Sequence, residues 1–109
     1  MSFDVVAIPP FDRQLKRLSK KYASLKSEFA KLLESLEQKP EQGISLGNNC
    51  YKIRMAITSK GKGKSGGARV ITNFIVAENT VFLIAIYDKS EKESVTDKEL
   101  DELLKYVPK

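Results

Sequence analysis

The apolar residues of this 109-residue chain change their spacing part way along, and this change constrains the fold more than any other feature. From Phe11 to Leu36 they recur every three or four positions, which is typical of amphipathic helices. From Tyr51 to Ile57 they alternate with polar or small residues, which is typical of strands. We therefore expect an α+β fold in which a helical segment precedes most of the sheet.

The first 40 residues are predicted to form a strand and a helical hairpin. Phe3–Ile8 is rich in strand-forming residues and stops at two prolines. Two helices with almost no linker follow, and Ser24 is placed to cap the second one. Their apolar positions are Phe11, Leu15, Leu18 and Tyr22 in the first helix and Leu25, Phe29, Leu32, Leu33 and Leu36 in the second. The lysines between these positions are interpreted as solvated side chains.

The rest of the chain is predicted to form a mostly antiparallel sheet and a last helix. Strands are expected from Cys50, over 68–76 and over 81–87, with a turn at Glu78-Asn79 between the last two. Thr96 and Glu99 have the spacing of a capping box, and the helix that follows is expected to end at Pro108. The predicted order is β-α-α-β-β-β-α, and residues 1–109 are expected to form a single domain.

The positive charge of the chain is concentrated in its middle. The formal net charge is +5, and no Asp or Glu occurs from Gln42 to Ala77. The basic residues in this acid-free segment are Lys52, Arg54, Lys60, Lys62, Lys64 and Arg69. Such a block favours binding of a polyanion, and the glycine-rich loop with Lys60, Lys62 and Lys64 is predicted to bind RNA nonspecifically. The other interpretation is a lysine-rich loop that only keeps the chain soluble.

The sequence excludes several kinds of chemistry. It has no histidine, which removes Ser-His-Asp triads and histidine metal sites, so we expect neither a metal nor another cofactor. The lone Cys50 cannot form an internal disulfide and is interpreted as a small core residue. With no apolar run long enough to span a bilayer and no signal peptide recognised, the expected location is the cytoplasm. Cations that hold phosphate remain, and RNA supplies its own nucleophile in the 2′-OH.

Several segments resemble the RelE/ParE superfamily of bacterial toxins. CYKIR at Cys50–Arg54 is similar to the second strand of that family, and GARVI at Gly67–Ile71 is similar to its third strand. AIYDKSEKE at Ala85–Glu93 resembles the segment before its last helix, and the SKGKGKSGG insert is most similar to the HigB-like branch. The resemblance implies a type II toxin that cleaves mRNA on the ribosome without a metal and is neutralised by a cognate antitoxin.

The resemblance also implies roles for individual residues. Lys52 and Arg69 match phosphate-binding positions, Lys89 stands where the family has an arginine, and Arg54 stands at a second basic position of the strand. Val95 replaces a tyrosine that RelE carries before the last helix. Tyr87, or less favourably Tyr51, could substitute for that tyrosine, and the alternative for each is an aromatic that only packs on its strand. Asp88 is a possible base whose alternative is a turn residue in a surface ion pair. If Lys52, Arg54 and Arg69 converge, their repulsion favours a neutral Lys52 amine, so Lys52 is predicted to be the base or the main phosphate clamp.

Two other functions stay open at this point. One is a ParE-like toxin that inhibits a topoisomerase without cutting RNA. The other is a basic RNA-binding module that has lost catalysis, and the residues at Arg54 and Val95 favour it. Retention of Lys52, Arg69 and Lys89 favours the enzyme.

Overall fold

The computed structural model describes residues 2–61, 63 and 66–108 of the chain. In these residues it contains three α-helices and five strands. The helices are α1 (Pro9–Lys21), α2 (Leu25–Gln38) and α3 (Asp97–Leu104). The strands are β1 (Asp4–Ala7), β2 (Ile44–Gly47), β3 (Cys50–Met55), β4 (Ala68–Ile75) and β5 (Thr80–Asp88). No helix in the described part of the chain is long and apolar enough to cross a membrane.

The five strands form one mixed sheet in the order β1-β5-β4-β3-β2. The pair β1–β5 is parallel and the other three pairs are antiparallel. The predicted α+β class, with a helical hairpin and a mostly antiparallel sheet, is confirmed. The strand β5 lies between β1 and β4, which explains why its residues are apolar on both faces.

The helical hairpin covers one face of the sheet. α1 begins directly at Pro9 and Pro10, where the missing N–H of proline does no harm because first-turn N–H groups have no helical partner. Phe11 of α1 and Phe29 of α2 stack with ring centroids 5.6 Å apart. The core between hairpin and sheet is built from fully or nearly fully buried side chains: Phe11, Leu18, Leu25, Leu36, Ile53, Val70 and Ile86.

One strand was not predicted. β2 pairs with β3 through a two-residue turn at Asn48 and Asn49, whose φ angles are 51° and 62°. Two consecutive residues in this left-handed region are typical of the hairpin turns whose twist matches the strands, and asparagine tolerates that region well. Every residue of β2 is exposed, so the strand carries no alternating apolar signal. The Asn-Asn pair was the signal that could have found it.

The last helix is shorter than expected. The capping box is confirmed, since Thr96 Oγ1 accepts a hydrogen bond from the Glu99 N–H and the Glu99 carboxylate accepts one from the Thr96 N–H. α3 nevertheless ends at Leu104, and residues 105–107 continue as turns. The helix packs on β5 through the half-buried Leu100 and Leu103. Since none of its side chains is fully buried, its attachment to the sheet is shallow.

Candidate functional site

A row of polar side chains crosses the sheet on the face opposite the helical hairpin. Arg54 of β3 is paired with Arg69 of β4, and Arg69 is paired with Tyr87 of β5. Directly paired residues of antiparallel strands project from the same face with Cβ atoms roughly 5 Å apart. Lys52 lies two residues before Arg54 and therefore shares this face. The register thus brings together four of the residues predicted for the site.

The three cations of this row differ in exposure. Arg54 is exposed and Lys52 is half-buried, whereas Arg69 is only 6% exposed. The Arg69 Nη1 atom donates a hydrogen bond to the Ala68 carbonyl at 3.2 Å. Arg69 is therefore held within the sheet surface, while Arg54 and Lys52 reach toward solvent. A phosphate that approaches this face would contact the more exposed Arg54 and Lys52 before the buried Arg69 guanidinium.

Lys89 lies at the end of the sheet beside the start of β4. Its backbone N–H donates to the Gly67 carbonyl at 3.0 Å, and its ammonium donates to the Glu93 carbonyl at 3.2 Å. At Gly67 a Cβ atom would lie 2.3 Å from the Met55 carbonyl oxygen, so only glycine fits where the chain enters β4. This close packing fixes the position of Arg69, two residues further on.

A cavity of about 90 Å³ opens between the sheet and the start of α3. Lys52 and Tyr87 line it from the sheet, and Ser94, Val95 and Asp97 line it from the segment that leads into α3. Asp97 was not predicted as a site residue, because in the sequence it is simply an acidic residue in the first turn of a helix. Asp97 and Lys52 therefore line the same cavity.

Tyr87 is a buried side chain. It is 5% exposed, and burial raises the pKa of its hydroxyl above the ordinary value, while the nearby charge of Arg69 opposes that rise. The hydroxyl therefore stays protonated at neutral pH and is suited to donate a proton or a hydrogen bond. Tyr51, the other tyrosine considered, lies on the opposite face of β3 and donates a hydrogen bond to Glu41 at 3.2 Å.

Asp88 lies on the hairpin side of β5 and is fully buried. Its carboxylate accepts hydrogen bonds from Lys60 Nζ at 2.6 Å, from the Tyr22 hydroxyl, and from the N–H and hydroxyl of Ser90 at 2.9 and 2.8 Å. Burial raises the pKa of this carboxyl, but the hydrogen bonds, led by that from Lys60, outweigh it and hold the pKa well below the usual range. Asp88 is thus an internal anion that holds Lys60, and it is neither exposed nor in a surface pair.

Lys60 is the loop lysine that the structure describes, and its charge is already matched. Its side chain is 14% exposed, and besides Asp88 its ammonium donates to the Ser90 hydroxyl and to the Gly66 carbonyl. This placement differs from the expected exposed RNA-binding side chain. Lys62 and Lys64, predicted to act with it, lie outside the described residues.

The turn that carries Lys60, Thr58–Lys60, is fastened to the helical hairpin. The Glu28 carboxylate accepts a hydrogen bond from the Thr58 N–H at 2.7 Å, and the Ser59 N–H donates to Ser24 Oγ at 2.9 Å. Ser24 stands at the N-cap position of α2 but makes no capping hydrogen bond there, since its hydroxyl donates to Glu28 and accepts from the Ser59 N–H. The glycine-rich loop therefore begins from a fixed point.

Cys50 is a core residue, as predicted. It is fully buried at the start of β3, and burial raises the pKa of its thiol. A thiol that is buried and protonated is a poor nucleophile. The other polar groups of the candidate site are its cations, the Tyr87 hydroxyl and Asp97.

Comparison with solved structures gives the same fold. A doubly substituted mutant of the E. coli toxin RelE in the free state superposes with a TM-score of 0.66 at 16% identity, covering 99% of this chain and all of that one. The isolated E. coli RelE toxin gives 0.62 at 15% identity, covering 98% of this chain and all of that one. The toxin in the intact E. coli RelBE toxin–antitoxin complex gives 0.63 at 18% identity, covering 80% of this chain and 96% of that one.

The sequence also matches a family model over residues 11–108, which is nearly the whole chain. That family is described as the RelE toxin of the RelE/RelB toxin–antitoxin system. The predicted membership of the RelE/ParE superfamily, and with it the toxin role in a type II toxin–antitoxin system, is confirmed. The chain belongs to the RelE toxin family.

Proposed function

We propose that this toxin is a metal-independent endoribonuclease that cleaves mRNA on the ribosome. The observation that carries the proposal is the row of Arg54 and Arg69 on one sheet face, with Lys52 on the same face and lining a cavity. Guanidinium and ammonium groups bind phosphate strongly, and preorganised charges stabilise the charge that develops in a transition state. RNA fits such a site because it brings the nucleophile.

The reaction would proceed by attack of a ribose 2′-oxygen on the adjacent phosphorus. The new O–P bond forms as the bond to the 5′-oxygen of the next nucleotide breaks, which leaves a 2′,3′-cyclic phosphate. The proton of the 2′-OH passes to a base, and the departing 5′-oxygen takes a proton from an acid. Arg69 and Arg54 would stabilise the added negative charge on the phosphorane, and Lys89 would hold a neighbouring phosphate.

The base has two candidates, Lys52 and Asp97. Arg54 cannot serve, since a guanidinium does not release its proton at neutral pH. Lys52 is either the base or the main phosphate clamp. Asp97 lines the same cavity, and a carboxylate there is a second possible proton acceptor. Tyr87 is suited to protonate the leaving oxygen, because its hydroxyl stays protonated.

The cognate partner would be an acidic antitoxin. A complex between a RelE toxin and its antitoxin is known for E. coli RelBE, which this chain resembles in fold. The exposed Arg54 and the half-buried Lys52 present positive charge to such a protein. An antitoxin could neutralise the site by covering this face or by displacing the shallowly packed α3. Recovery of a complex with the product of the adjacent open reading frame would test it.

Primer extension on mRNA after expression in a translating extract tests the nuclease directly. Cuts at defined codon positions that vanish in Lys52→Ala and Arg69→Ala support the proposal. Lys31→Ala, an exposed lysine of α2 on the other side of the sheet, is the matched control and should cut like wild type. Intact mRNA with stalled DNA replication in cells would instead indicate a ParE-like toxin.

A second function is a noncatalytic RNA-binding module. It is favoured by Val95, which lines the cavity at the position where RelE carries a tyrosine and which has no group to transfer a proton. In that case the same extract would show translation inhibited with the mRNA intact, and binding would still depend on Lys52 and Arg54.

A further inference from the structure

A second cluster of cations lies on α1, away from the proposed cleavage site. Its members, here called the basic stripe, are Arg13, Lys16, Arg17, Lys20 and Lys21. They occupy positions i, i+3, i+4, i+7 and i+8, so they share one face of the helix over ~12 Å of its length. All five are exposed, and together they line a broad open depression on the surface. The sequence alone suggested only ordinary solvated lysines there.

The stripe keeps a large positive excess after its ion pairs are counted. Glu91 accepts hydrogen bonds from Arg17 at 3.0 Å and from Lys21 at 2.8 Å. In the described part of the chain, Arg13, Lys16 and Lys20 have no acidic partner. The neighbouring α2 differs, because its lysines alternate with Glu28, Glu34 and Glu37. The concentration of charge is therefore particular to α1.

The stripe is continuous with the proposed cleavage site. Arg13 lines both the depression on α1 and a cavity of about 260 Å³ between α1, β5 and α3. Tyr87 and Val95 line that second cavity and also the cavity that holds Lys52. β1 pairs with β5 only as far as Leu83, so the rest of β5 forms an edge of the sheet. A nucleic acid bound at Lys52 could therefore extend around that edge to the basic stripe.

We infer that the basic stripe binds the phosphate backbone of double-stranded RNA. The stripe contains no aromatic side chain, whereas surfaces for single strands usually stack bases on aromatics. Evenly spaced cations on a convex helix instead suit phosphates of a duplex, which is recognised by shape and backbone contacts. The stripe would bind the toxin to folded RNA while the sheet face binds an unpaired strand. That the nucleic acid is RNA and not DNA rests on the proposed function.

The test compares two triple variants that remove the same charge. Arg13→Ala/Lys16→Ala/Lys20→Ala alters the stripe and spares the residues paired with Glu91. Lys26→Ala/Lys31→Ala/Lys39→Ala removes three exposed lysines of α2 and its C-terminal end. Binding of a labelled RNA duplex of about 16 base pairs is measured by fluorescence anisotropy as salt is varied. Thermal unfolding and circular dichroism verify that both variants fold.

The stripe variant should bind the duplex at least about tenfold more weakly and lower the log–log salt slope by about 2, since each phosphate contact adds somewhat less than one. The α2 variant should change the slope by less than about half as much. Equal losses in both variants, or a wild-type slope in the stripe variant, would overturn the inference. So would a stripe variant that keeps duplex binding and loses only the antitoxin complex, because the stripe would then be a protein interface.

The same proteins separate this inference from the proposed function. If wild type fails to cut mRNA but the stripe variant loses duplex binding, the nuclease proposal fails and the duplex site stands. If wild type cuts mRNA and the stripe variant binds duplex as wild type does, the nuclease stands and the stripe inference is wrong. Lys52→Ala should leave the duplex salt slope unchanged, and a fall equal to that of the stripe variant would count against a separate site.

Discussion

Lys60 and Lys52 come from the same acid-free segment of the sequence, yet they lie in opposite electrostatic settings. Lys60 turns to the hairpin side and pairs with the fully buried Asp88 at 2.6 Å. Lys52 projects from the other face of the sheet, two residues along β3 from Arg54, which pairs with Arg69. A lysine in an acid-free segment of the sequence can therefore still contact a carboxylate from a distant segment, as Lys60 does. One lysine is part of the fold, and the other is available to a ligand.

The largest expected effect separates the two lysines by stability. Lys60→Met removes the charge that neutralises a buried carboxylate, and breaking a buried pair in this way typically costs about 3 kcal/mol or more. Lys52→Met, which leaves no buried charge behind, should cost less than about 1 kcal/mol. Urea unfolding at neutral pH measures both. Equal destabilisation would mean that the Lys60–Asp88 pair is not a structural element.

The second effect separates them by activity. Lys52→Ala should lower single-turnover cleavage of mRNA by about 10² to 10³, the usual cost of losing one electrostatic donor. Lys60→Met, assayed at low temperature where it remains folded, should lose far less. If the Lys60 variant loses as much cleavage as Lys52→Ala while folded, the loop anchor belongs to the cleavage site and the comparison fails.

Much of this contrast lies beyond what the sequence can specify. Helical spacing predicted both helices of the hairpin, and alternation predicted β3, because each of these elements buries one face. β4 and β5 were predicted as runs of strand-forming apolar residues, and almost all of their residues are buried. The strand β2 has no buried residue and so no such signal. The pairing of Arg54 with Arg69 follows from strand register, and residues expected on adjacent strands could be placed on one face. Lys60 and Asp88 are 28 residues apart, and only the position of the Thr58–Lys60 turn near the end of β5 brings them together. Asp97 likewise lines the same cavity as Lys52 only because α3 packs on the sheet, which the sequence pattern does not specify.

The third effect is a loss of folding stability at low pH that the Lys60–Asp88 pair should cause. Because the folded pKa of Asp88 is depressed, its ionised form is favoured by folding, and this stabilisation is complete above the unfolded value of about 4. It is lost as pH falls below that value toward the folded pKa, and the loss can amount to about 2 kcal/mol. Asp88→Asn should be less stable at neutral pH but flatter in its pH dependence below pH ~4. Glu91→Gln, at an exposed pair with Arg17 and Lys21, should change the profile less. An Asp88→Asn profile parallel to wild type would contradict this assignment.

The pH dependence of the cleavage rate should identify which residue accepts the proton of the 2′-OH. Lys52→Arg keeps the charge but cannot deprotonate, and Asp97→Asn keeps the shape but cannot accept a proton. If Lys52 is the base, Lys52→Arg loses the rise of the cleavage rate with pH and Asp97→Asn keeps it. If Asp97 is the base, the two outcomes exchange, and Lys52→Arg retains most of its rate as a clamp. The measurement is a single-turnover pH–rate profile, with Lys31→Arg as the control. Normal profiles in both variants would exclude both residues as the base.

The smallest effect concerns α3, which closes the cavity over Lys52. Thr96→Ala removes the hydroxyl that accepts the Glu99 N–H and should cost about 1 kcal/mol of helix stability. Because α3 has no fully buried side chain, that loss should appear as local opening and not as global unfolding. Hydrogen exchange of residues 98–104 should accelerate about fivefold or more, while amides of β4 keep their protection. Thr96→Ser retains the hydroxyl and should exchange like wild type. If α3 of Thr96→Ala stays protected from exchange but cleavage falls, Thr96 acts on the site by some route other than helix capping. If α3 opens and cleavage is unchanged, the segment that carries Asp97 is not needed for the reaction. Of the two candidate bases, only Lys52 would then remain.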